Sequence, residues 1–80
     1  MRIDKYLKVS RLIKRRTVAQ EACDGGRVSV GGKVVKPSYD VKEGDIIELS
    51  FGAKKTKVKV VKVCDFIKAN EADTMYELLN

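Results

Sequence analysis

At Asp24-Gly25-Gly26 the apolar residues of this chain change their spacing, and that change limits the folds open to it. Before this point Ile3, Tyr6, Leu7, Ser10 and Ile13 recur at steps of three and four, which places them on one side of a helix. After it, Arg27-Val28-Ser29-Val30 and Ile46 to Phe51 alternate, the period of a strand with one buried face. Helical segments followed by strands give an α+β fold, two N-terminal helices packed on a small, mostly antiparallel sheet. Eighty residues suffice for one such core and leave little for a deep substrate cavity.

The first helical pattern runs to Ile13. Asp4 near its start can accept from free backbone N–H groups, and Lys14-Arg15-Arg16 closes it. Thr17-Val18-Ala19-Gln20 reads as a capping box: the Thr17 hydroxyl takes the Gln20 N–H and the Gln20 side chain returns to the Thr17 N–H. A second helix is therefore expected to start at Thr17, with Val18, Ala22 and Cys23 inward and Ala19 permitting close helix approach. A glycine in the left-handed conformation ends it at Gly25-Gly26.

Gly31-Gly32 between two short β runs predicts a tight hairpin. Ile46 to Phe51 carries the strongest strand pattern, with Ile47, Leu49 and Phe51 on one face. Gly52 to Lys55 is expected to be a connection. Lys57 to Val63 alternates but slips at Val60-Val61, which predicts a bulge, and its lysines read as protection of an exposed sheet edge. Ala72, Met75, Tyr76 and Leu79 return to helical spacing, so a short C-terminal helix is expected over 71–79. The expected organisation is one domain over residues 1–63 and an extension over 64–80.

Charge narrows the function. The net charge is +6, and residues 1–36 hold ten Lys/Arg against three Asp/Glu while residues 37–80 hold seven against eight. All of the excess therefore lies in the first half, which points to nucleic acid first and a lipid headgroup layer second. Lys8, Arg11 and Arg15 form a second stripe on the first helical pattern. Lys14, Arg15 and Arg16 adjoin the expected helix start at Thr17, where backbone donors and guanidinium groups can converge on one phosphate.

The chain has no histidine, which removes the commonest general base and metal ligand. Cys23 and Cys64 have no metal-ligand spacing and read as free thiols of a cytosolic protein, or as one disulfide. No signal-length apolar run or membrane-length segment is present, so a cytoplasmic, non-catalytic protein without cofactor is expected.

Arg2-Ile3-Asp4-Lys5-Tyr6-Leu7, Ser10-Arg11, Arg15-Arg16-Thr17, Ala22 and Gly26-Arg27-Val28 resemble, in order and spacing, the RNA-binding domain named after ribosomal protein S-four. Val34-Val35-Lys36-Pro37-Ser38 and Val41-Lys42-Glu43-Gly44-Asp45 extend the match. Within that family the chain is similar to small stand-alone members acting in ribosome-associated quality control and to the small ribosome-associated heat-shock proteins. The resemblance implies an N-terminal αL-type RNA-binding motif and an RNA-contacting side at Arg2, Asp4, Lys5, Arg11, Arg15, Arg16 and Arg27. Arg2 and Arg16 are foremost, with Asp4 orienting its neighbours. Lys8, Lys14 and Thr17 join this set from the charge pattern and the helix start. The resemblance further implies a monomer that binds large-subunit rRNA and peptidyl-tRNA on an obstructed large ribosomal subunit and supports tailing of the stalled chain beside a partner tailing factor. The other readings are the targeting domain of an rRNA-modifying pseudouridine synthase or methyltransferase, and a DNA-binding helix-turn-helix protein.

Overall fold

In the computed structural model, which describes residues 1–79, two helices cover one face of a five-stranded antiparallel sheet. Helix α1 spans Ile3–Val9 and α2 Arg16–Asp24; strands β1 (Val28–Val30), β2 (Lys33–Val34), β3 (Ile46–Phe51) and β4 (Lys54–Val60) follow. A 3₁₀ helix, Ala69–Met75, leads into β5, Tyr76–Leu78. The strand order is β2-β1-β3-β4-β5. Cross-strand partners point to the same side, so the Val28–Leu49, Val30–Ile47, Ile47–Val58 and Val60–Tyr76 pairings assemble one apolar face. Ile3, Tyr6, Leu7, Ala19, Ala22 and Cys23 from the helices complete the core against it.

The α+β arrangement, the hairpin and the Ile46–Phe51 strand agree with the sequence reading, as does the positive φ of Gly26 after α2. Gly31 and Gly32 have φ of +58° and +85°, the left-handed pair a two-residue hairpin turn needs.

Four expectations are corrected. Helix α1 stops at Val9, four residues before Ile13, because Arg11 takes φ +63° and its N–H donates to Lys8 O at 3.1 Å. This is the helix-ending conformation usually supplied by glycine. Ile13 still reaches the core because its N–H returns to Leu7 O at 3.0 Å. Helix α2 begins at Arg16 with Arg15 as N-cap and has no side-chain cap, so the Thr17–Gln20 box does not form. Val18 on this helix is largely exposed.

The third correction concerns β4, which begins at Lys54 and ends at Val60 without a bulge. The slip at Val60-Val61 marks the strand's end, where the N–H groups of Val61 and Lys62 both donate to Met75 O, at 2.9 and 3.1 Å. Nor is β4 an edge: it lies between β3 and β5, and its outward Lys57 and Lys59 stand opposite Glu48 and Glu77. They form a cross-strand charge ladder. Fourth, the expected helix over 71–79 is the 3₁₀ turn followed by β5. Met75 is fully buried, and Tyr6 Oη donates to its carbonyl at 2.7 Å. The segment after residue 63 thus completes both the core and the sheet.

Candidate nucleic-acid interface

The cationic corner is built on a buried acid. Asp4 lies in the first turn of α1 with no solvent exposure. A carboxylate in that position is costly unless its oxygens are satisfied. Here they are satisfied from both helices. The Lys5 N–H donates to Oδ1 at 2.8 Å and Gln20 Nε2 to Oδ2 at 3.0 Å. Arg2 donates through Nε at 3.3 Å and Nη2 at 3.2 Å, and Arg16 Nε stands 3.4 Å from Oδ2. Burial pushes the Asp4 carboxyl up, but the hydrogen bonds from Gln20, Lys5, Arg16 and Arg2 outweigh it and hold the group below its ordinary value.

The Gln20 side chain is therefore drawn to Asp4 and away from the helix start, which explains the missing capping box. Sequence reasoning assigned Gln20 to the wrong partner. Its position four residues after Arg16, on the same face of α2, was the available signal.

Arg2 is set in place by the chain around it. The Ile3 N–H donates to Tyr39 O at 2.8 Å, the Val41 N–H to Met1 O at 2.8 Å, and the terminal ammonium to Asp40 at 2.7 Å. The side chains of Arg2 and Arg16 remain 51% and 43% exposed, so each guanidinium keeps N–H groups facing solvent after binding Asp4. Two forks from two helices, fixed by one buried carboxylate, suit a phosphate backbone of defined shape. The uncapped first turn of α2 adds backbone donors beside Arg16.

The other expected site residues fall into separate places. Asp4 has no surface to offer RNA, so its part is to hold Arg2 and Arg16. Lys5 turns to Asp65 at 3.1 Å. Lys8, Arg11 and Lys14 line a groove with Val9 and residues 65–67 and without Arg15, because the end of α1 at Val9 breaks the expected stripe. Arg15 and Thr17 are exposed at the start of α2. Arg27 is exposed beyond the opposite end of α2, about 13 Å of helix from Arg16, and does not share the corner. Among the described residues no cluster of His, Cys, Asp or Glu could hold a metal ion, and no helix is long and apolar enough to cross a membrane. The two cysteines are free; burial pushes the Cys23 thiol up to about 11, with Asp4 and Asp24 adding to the shift.

A family model described as the S4 domain matches residues 1–47. The chain is 52% identical over 79 residues to a Bacillus subtilis protein named RQC P-site tRNA stabilizing factor, covering 99% of this chain and 92% of that one. A Streptococcus pneumoniae protein of the same name is 51% identical over 80 residues, covering 100% and 91%. Among solved structures, the trimeric structure of Vibrio cholerae Heat Shock Protein 15 aligns with a TM-score of 0.91 at 32% identity, over 99% of this chain and 81% of that one.

Proposed function

Because this chain belongs to the S4 domain family and, within it, to the group of RQC P-site tRNA stabilizing factors, we propose that it is a non-catalytic RNA-binding factor of ribosome-associated quality control. On this reading it acts in the cytoplasm. It binds large-subunit rRNA and peptidyl-tRNA on obstructed large ribosomal subunits and supports tailing of the stalled chain beside a tailing factor. The observation that carries the RNA-binding part is the Asp4-centred corner, which holds Arg2 and Arg16 half-exposed in one orientation. Such a device recognises the shape of a folded RNA through its phosphates more than its base sequence.

The appended-domain reading is less favoured, because the match takes in 91–92% of the length of these two relatives, neither of which is named as an RNA-modifying enzyme. The helix-turn-helix reading needs a recognition helix. The exposed positions of α2 are Arg16, Thr17, Val18, Glu21 and Asp24; past the first turn they offer a groove only two acids, which oppose DNA.

Charge reversal in Arg16→Glu should abolish co-sedimentation with large ribosomal subunits while circular dichroism shows the same fold. Sedimentation at the wild-type level removes Arg16 from the interface.

A further inference from the structure

Phe66 is the most exposed large apolar residue among the described residues, at 82%, and it shares a groove with three cations. With Val9, Asp65 and Ile67 it lines an open groove of about 490 Å³ that Lys8, Arg11 and Lys14 also line. The groove is distinct from the Asp4 corner. None of these three cations is paired with an acid among the described residues. The linker that presents Phe66 is pinned to α1 by the Lys5–Asp65 ion pair. Among the groove's lining residues, Arg11 is the one non-glycine described residue with positive φ.

An exposed aromatic ring in one groove with three unpaired cations matches one chemistry, a nucleobase whose own phosphates lie within reach. We propose that this groove binds a single unstacked nucleotide of a structured RNA, its base on the ring of Phe66 and its flanking phosphates on Lys8, Arg11 and Lys14. The inference deepens the RNA-binding reading above and rests on it. With one ring available, the site takes one base and is no platform for a run of single strand. A protein ligand would call for further apolar lining, whereas three of the groove's seven lining residues are cations and its one acid, Asp65, is paired with Lys5.

The probes are two short RNA hairpins of the same stem, one fully paired beneath its loop and one with a single bulged adenosine. They are compared by fluorescence anisotropy at matched salt. Wild-type protein should prefer the bulged hairpin by about tenfold, the size of one base–aromatic stack. Phe66→Ala should lose that preference yet bind the paired hairpin as wild type does, and Phe66→Leu, apolar but without a ring, should behave like Phe66→Ala. Since Phe66 is exposed, both variants should keep the wild-type circular dichroism and melting temperature. Equal wild-type affinity for the two hairpins overturns the proposal, as does a preference that survives in Phe66→Ala. If Phe66→Ala weakens co-sedimentation with large subunits while both hairpins bind wild-type protein alike, Phe66 serves a protein contact and the nucleotide site is refuted. Failure of the RNA-binding reading looks different: Arg16→Glu would leave binding to the paired hairpin unchanged.

Discussion

Asp4→Asn separates two explanations of RNA binding, because they differ in sign. The substitution keeps the shape of the side chain and one acceptor oxygen, but replaces the other with an NH₂ group. Oδ2 now accepts from Gln20 at 3.0 Å and lies 3.4 Å from Arg16 Nε, while Oδ1 accepts from Lys5 N–H at 2.8 Å. Whichever way the amide turns, one set of donors meets a donor. A lost charge-assisted hydrogen bond is worth about 1.5–3 kcal/mol. The ion pairs to Arg2 and Arg16 add less than about 1 kcal/mol each, since both guanidinium groups are half-exposed and can be solvated instead. The expected destabilisation is about 2–3 kcal/mol, which lowers the melting temperature of an 80-residue domain by roughly 10–20 °C. If binding followed net charge alone, removing an acid from a chain of net charge +6 would tighten it. If binding depends on arginines held in place, affinity for a structured RNA should fall about tenfold, the equivalent of roughly 1.4 kcal/mol, despite the extra positive charge. Anisotropy titrations across a salt series, well below the variant's melting temperature, provide the comparison. Affinity equal to or tighter than wild type would refute the orienting role of Asp4.

The remaining predictions concern acid and core. The Asp4 carboxyl lies below its ordinary 3.8 in the folded chain, so the stability it contributes is complete above that value and is lost as pH falls through the lower, folded-state value. Thermal melts at decreasing pH should therefore show a loss below about pH 4 that is smaller in Asp4→Asn. Asp40, also lowered, by the hydrogen bond and charge of the terminal ammonium, requires Asp40→Asn as a control. An identical pH profile in Asp4→Asn and wild type would contradict the linkage. Met75→Ala should cost about 2–5 kcal/mol in urea unfolding, because the side chain is fully buried in the core. A cost under about 0.5 kcal/mol, typical of a surface site, would mean that the segment after residue 63 contributes little to the core.

What the sequence disclosed and what it concealed follow from where the decisive contacts lie. Ile46–Phe51 and the Gly31-Gly32 turn were legible because alternation and glycine act within a few residues of themselves. The end of α1 was hidden because an arginine, Arg11, adopts the conformation for which glycine is the usual sign. Ile13 kept the apparent helical spacing alive by returning to the core after the turn. The C-terminal segment carried a helical spacing in Met75 and Leu79, but the open side of β4 offered a ladder of backbone partners. The pairing of Val58 to Leu78, Lys59 to Glu77 and Val60 to Tyr76 won. Tertiary pairing of this kind leaves no local signal, since its cause is a strand some twenty residues earlier.

The candidate site shows the same division on a smaller scale. Charge asymmetry located the cations in the first half of the chain, as a stripe and a junction cluster, whereas the fold sorts them by how firmly they are held. Arg2 and Arg16 are fixed by a buried acceptor shared between two helices, so little side-chain freedom remains for binding to remove. Lys8, Arg11 and Lys14 have no such partner among the described residues and keep their freedom. Free cations attract a polyanion at long range and set the salt dependence of its approach, while oriented forks decide which arrangement of phosphates is accepted. Asp4 makes that distinction possible: the acid gives up one unit of net charge and in return fixes the geometry in which two others are presented.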